Sequence, residues 1–293
     1  MPTTELDRPT HVPTDPGRRD FVRAAVGTGF ASAVLPVTAQ TIRTDSSGLT
    51  VGEVTIPVGD FKMPAYRAMP AGKPGSLPVV LVVSEIFGVH EHIADVARRF
   101  AQLGYLAIAP ELFVRQGDAQ GYGEIGKLID EVVSKVPDAQ ALGDLDACVA
   151  WAAANGGDTA RLAVTGFCWG GRIAWLYAAH GAKVRAAVAW YGQLLGAPSA
   201  LKPANPIDVV GKLKAPVLGL YGGADTGIPL AAVEQMKAAL AGSNNAAAKQ
   251  SQFVVYPGAP HAFHADYRPS YVKDAADDGW KRCVAWFKSH GAA

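Results

Sequence analysis

The sequence predicts an α/β fold, with a mostly parallel central sheet and helices on both faces. Short, continuously apolar, β-branched runs recur along the chain, and residues 79–83 (Val-Val-Leu-Val-Val) are the clearest. A strand buried on both faces reads this way. Segments of helical spacing separate these runs, which is the pattern of parallel strands joined by crossover helices. Gly104 and Pro110 punctuate the boundaries, as helix stops and strand ends require.

In chain order, residues 51–58 and 61–68 read as strands joined through Gly59-Asp60, and 70–78 as a Pro/Gly/Lys loop before the strand at 79–83. Residues 92–103 have helical spacing through Ile93, Val96, Ala97 and Phe100, and 105–109 form the next apolar strand. A helix is expected over 139–153, turning Leu142, Leu145, Cys148, Val149 and Trp151 inward. There follow a strand at 162–165, a helix at 172–179, strands at 186–190 and 217–221, a helix at 229–240, a strand at 253–256 and a closing helix at 273–288. No repeat of fixed period is visible.

The 293 residues are 49% hydrophobic and 18% charged, with a net charge of +1. Such a chain can bury a sizeable core and fits one large domain. The charge balance suggests neither nucleic acid nor a membrane surface as partner, and no apolar run is long enough to span a bilayer. A small-molecule substrate is the expected partner, and a monomer or small homo-oligomer the expected state. Three cysteines, at 148, 168 and 283, are an odd number without a C-x-x-C pair, so they do not form a disulfide framework. Cys148 and Cys283 sit at apolar helical positions and read as core residues.

The first fifty residues differ from the rest. Residues 1–17 are rich in Pro, Thr and Asp; Arg18-Arg19-Asp20-Phe21 follows, then a short apolar stretch ending in Val37-Thr38-Ala39. A positive region, a short apolar region and small residues at the end are the parts of an export signal, and the arginine pair suggests the twin-arginine type. The expectation is a signal over 1–39, a linker over 40–50 and the folded domain over 51–293. The protein would leave through the twin-arginine export machinery, to the periplasm or the medium of a bacterium.

In open α/β sheets the chemistry sits beyond the carboxyl ends of the strands. After the strand at 162–165 comes Gly166-Phe167-Cys168-Trp169-Gly170-Gly171. This is the G-x-S-x-G nucleophile elbow with Cys in place of Ser. The turn lifts the Cys168 sulfur above the sheet at a helix N-terminus, which favours thiolate. It also presents the Trp169 N–H to a developing oxyanion. Asp225, in Gly222-Gly223-Ala224-Asp225, and His261, in Pro260-His261-Ala262-Phe263-His264, follow later strands. Nucleophile, acid, then His is the chain order of this arrangement, with Asp225 orienting His261 and His261 moving the proton. His264 is the alternative base. His261 and His264 also form H-x-x-H, but without a third ligand cluster no metal is expected. The loop Ser84-Glu85-Ile86-Phe87-Gly88-Val89-His90 would donate the second oxyanion N–H, from Ile86. Glu85, at the mouth of a buried strand, needs a partner; it either caps a helix, meets an arginine, or controls the protonation of Cys168.

Together, Gly166 to Gly171, Glu85-Ile86-Phe87-Gly88, Ala109-Pro110-Glu111-Leu112-Phe113, Gly223-Ala224-Asp225 and Pro260-His261-Ala262-Phe263 resemble the dienelactone hydrolases (carboxymethylenebutenolidases) of the α/β-hydrolase superfamily, over about residues 51–287. The resemblance implies a cofactor-free, metal-free hydrolase in which Cys168, His261 and Asp225 form a triad that opens a lactone through an acyl-enzyme. It implies that Glu85 accepts a hydrogen bond from the resting thiol, that Phe87 lines the substrate pocket and that Arg115 holds a substrate carboxylate. The family's second arginine, four residues past the His, is Ala265 here, with Arg268 close by but off register. A changed or broader substrate follows. The rival readings are a general carboxylesterase or thioesterase, a silent binding protein on this fold, and a redox thiol protein, the last disfavoured because no resolving Cys lies near position 168.

Overall fold

The computed structural model describes residues 41–72 and 75–293. The expected export signal lies outside the described residues. The strands are β1 (Leu49–Val58), β2 (Phe61–Pro70), β3 (Leu77–Val83), β4 (Leu106–Pro110), β5 (Gly157–Phe167), β6 (Val184–Trp190), β7 (Val217–Gly222) and β8 (Gln252–Tyr256). They form one eight-stranded sheet in the order β1-β2-β4-β3-β5-β6-β7-β8. β1 pairs antiparallel with β2 and β2 with β4, while every other pairing is parallel. The helices are α1 (Glu91–Gln102), α2 (Ile125–Glu131), α3 (Asp138–Ala154), α4 (Trp169–His180), α5 (Leu230–Gly242), α6 (Ala246–Gln250) and α7 (Lys273–Ser289).

The mostly parallel sheet and its crossover helices are those the sequence predicts, with two kinds of departure. Elements run one to five residues past their apolar signatures: β3 begins at Leu77, inside the expected loop, and β5 at Gly157. The folded part also starts earlier than residue 51, because Leu49 and Thr50 already pair with Pro70 and Met69. Further upstream, Thr44 hydrogen-bonds the Asp95 carboxylate on α1 through both its N–H and its hydroxyl, so the end of the expected linker is fastened to the domain. The two short helices α2 and α6 carry too little periodicity to be foreseen.

Residues 79–83 are wholly buried, as a strand covered by helices on both faces must be. The core holds a buried ion pair relevant to the site. On α4, Arg172 donates to both carboxylate oxygens of Asp138 at 2.7 and 2.8 Å, and to the Ala204 carbonyl at 2.7 Å. This bidentate lock ties α4, which follows the Cys168 turn, to the start of α3 and to the loop at 204. Removing the cation leaves a buried carboxylate without its partner. Arg172→Met is therefore expected to lower stability by about 3–5 kcal/mol, seen as a lower urea midpoint with an unchanged slope; a midpoint equal to that of the native chain would refute this.

Candidate active site

Cys168 sits between β5 and α4 with φ 53° and ψ −113°, a conformation that non-glycine residues adopt only under constraint. The constraint is steric. A Cβ on Gly166 would overlap the carbonyl of Gly170, and one on Gly170 would overlap the carbonyls of Val83 and Ser84. The turn closes because these positions have no side chains. Its backbone is pinned by the Cys168 N–H donating to the Trp190 carbonyl at 3.0 Å. Trp169 opens α4, and the first N–H groups of a helix have no partner within it. The Trp169 N–H is thus available beside the sulfur. Cys148 and Cys283 are fully buried, and burial pushes both thiols far above their ordinary range.

Asp225 and His261 meet beyond β7 and β8. The Asp225 Oδ1 accepts from the N–H groups of Gly227 at 2.8 Å and Ile228 at 3.0 Å, and its Oδ2 accepts from His261 Nδ1 at 2.7 Å. With Nδ1 engaged by Asp225, the other ring nitrogen is left for Cys168, whose interaction with His261 also favours the imidazolium. Burial opposes a charge on His261, but the hydrogen bonds to Asp225 and Cys168 and the charges of both outweigh it and push the pKa up to about 10. The geometry brings the three sequence-predicted residues together in the order sulfur, imidazole, carboxylate.

Glu85 is fully buried at the end of β3. Its Oε2 accepts from the Tyr267 hydroxyl at 2.9 Å and from His90 Nε2 at 3.3 Å. Burial disfavours its charge, yet the hydrogen bond and charge of His90, then His92 and Arg268, hold the carboxyl down at about 2. Its Oε1 is buried without a hydrogen-bond partner among the described residues. The loop that carries Glu85, Ile86 and Phe87 is held by Glu111, whose Oε1 accepts the Val89 N–H at 3.2 Å. Gly88, with φ +72°, lies so close to that carboxylate that a Cβ would strike it.

The remaining expected residues separate. Phe87 is buried and carries the Arg268 guanidinium over its ring at 5.6 Å. Arg115 is committed elsewhere: its two terminal nitrogens donate to Asp144 at 2.7 Å each, and it lies over the Phe61 ring at 4.2 Å. A bidentate carboxylate partner satisfies the planar fork, which leaves Arg268 as the guanidinium whose charge bears on Glu85, Tyr191 and Tyr267. His264, the alternative base, is buried and packed on Trp190 and Phe167 with ring centroids 4.5 and 5.1 Å away. Burial keeps it neutral, far below the usual imidazole range. Among the described residues no group of three or more His, Cys, Asp or Glu could hold a metal.

Sequence reasoning passed over Tyr191, Tyr267 and His90. Each lies beyond the carboxyl end of a strand or within seven residues of a predicted site residue, so the position rule that found the triad could have found them.

An eight-stranded α/β sheet with a strained strand-to-helix turn at Cys168 and an acid and a His on later strand ends defines an α/β-hydrolase. The model of the dienelactone hydrolase family matches residues 63–291, and the chain belongs to that family. A Methylorubrum extorquens protein named "Putative carboxymethylenebutenolidase" is 61% identical over 278 residues, 94% of each chain. An Escherichia coli K12 protein of the same name is 52% identical, over 90% of this chain and 96% of that one. A solved dienelactone hydrolase-type structure from Klebsiella pneumoniae superposes with a TM-score of 0.79 at 56% identity, over 82% of this chain and 98% of that one. The protein is thus a hydrolase acting on carboxylic ester bonds.

Asp225 supplies the leading contribution that raises His261. In Asp225→Asn the His261 titration is expected to fall from about 10 toward the ordinary imidazole value of about 6.5. The sign follows from the charge: an amide no longer favours the imidazolium. Imidazole NMR signals followed against pH measure it, and a midpoint left near the native value would contradict the assignment.

Proposed function

We propose that the protein hydrolyses small lactones or esters through an acyl-enzyme on Cys168. The observation that carries this reading is the His261–Asp225 hydrogen bond set beside Cys168, which sits on a strained turn at a helix N-terminus. In the first half-reaction the sulfur attacks the carbonyl carbon, and the carbonyl electron pair moves to oxygen. The backbone N–H groups of Ile86 and Trp169 face that oxyanion. Collapse breaks the bond to the leaving oxygen, which takes its proton from His261. Water then attacks the thioester, aided by His261, and releases the acid and the thiol. Each oxyanion donor is expected to supply about 3–4 kcal/mol in the transition state. Glu85 acts on the resting thiol, and Phe87 with Arg268 lines the acyl side.

The engagement of Arg115 by Asp144 favours a second reading of the substrate, in which small esters without a carboxylate are turned over as well as a dienelactone. Export by the twin-arginine route is a companion proposal, supported by Arg18-Arg19 and the short apolar stretch before Ala39.

Incubation with a dienelactone and with p-nitrophenyl acetate tests both parts. Cys168→Ala is expected to abolish turnover of each, and intact-protein mass spectrometry of the native enzyme quenched in the first turnover should show an acyl adduct on Cys168. Turnover that survives the substitution would defeat the nucleophile assignment. A strict preference for the lactone would defeat the broader substrate range.

A further inference from the structure

Four described non-glycine residues have positive φ, and three of them surround the triad: Cys168 itself, Ala262 beside His261, and Tyr191 with φ 38°. Tyr191 follows β6, and no catalytic role assigned so far explains why a bulky residue is held there in the left-handed region, where β-carbon contacts disfavour it. Its backbone is fixed by its N–H donating to the Leu220 carbonyl at 2.8 Å. Its ring meets His261 edge to face, with centroids 5.1 Å apart. The whole side chain is buried, and its hydroxyl is without a hydrogen-bond partner among the described residues. Buried hydroxyls are rarely left so.

The groups that bear on Tyr191 come from three loops at this end of the sheet. They are Glu85 after β3, Cys168 after β5, and His261, Tyr267 and Arg268 after β8. Two buried orphan atoms therefore share one neighbourhood with Cys168. One is a donor, the Tyr191 hydroxyl; the other is an acceptor, Glu85 Oε1. They cannot be exchanged in role, because burial and the nearby Glu85 charge keep the phenol protonated.

We propose that Tyr191 acts directly on the reacting sulfur, donating a hydrogen bond from its hydroxyl to Cys168. A sulfur turned from His261 toward Glu85 would meet a donor and an acceptor together: as a thiol it donates a hydrogen bond to Glu85 Oε1 and accepts one from Tyr191, and as a thiolate it accepts from Tyr191. On this proposal the left-handed backbone at 191 serves to aim the hydroxyl at the sulfur. This inference rests on Cys168 as the nucleophile.

Site-resolved alkylation of Cys168 by iodoacetamide, followed against pH by peptide mass spectrometry, is the test. Tyr191→Phe removes one buried atom and keeps the ring. A lost hydrogen bond to the thiolate is expected to move the alkylation midpoint up by about one pH unit, and to slow alkylation about tenfold below it. The melting temperature should change little. Site-specific 3-fluorotyrosine at 191, a stronger donor, should move the midpoint the other way. If neither substitution moves the midpoint, or if both move it in one direction, Tyr191 does not donate to the sulfur. Alkylation does not depend on turnover, so the two readings fail separately. Activity surviving in Cys168→Ala overturns the nucleophile, whereas a dead Cys168→Ala with an unmoved Tyr191→Phe profile overturns only the role of Tyr191.

Discussion

Everything at the site depends on a single close approach, that of the Cys168 turn to the strand ends on either side of it. A left-handed non-glycine residue costs about 1–3 kcal/mol, and it persists only where its surroundings leave it no alternative. Here the surroundings are backbone. The Gly170 position abuts the carbonyls of Val83 and Ser84, and Gly166 abuts Gly170. The Cys168 N–H is held by Trp190. The same contact that strains Cys168 therefore fixes β3, β5 and β6 relative to one another. It sets where the Glu85 loop, the sulfur and Tyr191 emerge. A looser turn would relieve the strain and lose the common origin from which the three groups are aimed.

Charge is distributed around that origin in an unusual way. Glu85 is ionised although it is wholly buried, and His261 is pushed toward its cationic form although burial opposes it. Each is held by named partners rather than by solvent: Tyr267 and His90 for Glu85, Asp225 for His261. A buried anion and an imidazole biased toward its cation thus lie at the end of the sheet where Cys168 emerges. The balance between these two charges sets the field in which the sulfur sits. Because the partners are themselves buried and hydrogen-bonded, the balance is a property of the fold and is little screened by salt.

How much of this was legible in the sequence follows from the range of each signal. β3 announced itself because five consecutive residues are β-branched or Leu and both faces are covered. The meeting of Cys168, Asp225 and His261 was legible because the G-x-C-x-G spacing is a steric requirement of the turn, and because acid and His follow the last strands in order. Glu85 was legible as a charge in the wrong place. The partners of Glu85 were not, since Tyr267 lies 182 positions away in sequence and nothing local marks a hydroxyl that closes a contact at that range. Arg115 fails for the converse reason. Its position matches a family feature, but Asp144, one turn into an amphipathic helix, reads locally as an ordinary solvent-facing carboxylate. The bidentate pair exists only once α3 packs beside the loop at 115.

The reassignment of the cation changes what the pocket can recognise. A guanidinium locked to Asp144 has its fork filled, so breaking the pair to greet a substrate would strand a buried carboxylate, a loss of several kcal/mol. Arg268 is differently placed: it rests on the face of Phe87, and its charge is among those that favour the Glu85 carboxylate. A planar cation on a ring face keeps its edge donors free. A negative group entering the pocket would therefore compete with Glu85 for the same arginine, and in doing so would weaken one of the charges that keeps Glu85 ionised. On the proposed mechanism, substrate charge and thiol protonation would be coupled through that one residue. A neutral ester would leave the coupling untouched and meet the sulfur in its resting balance. The discrimination between the two kinds of substrate then lies in how readily the thiol is armed, and only secondarily in how tightly either is bound.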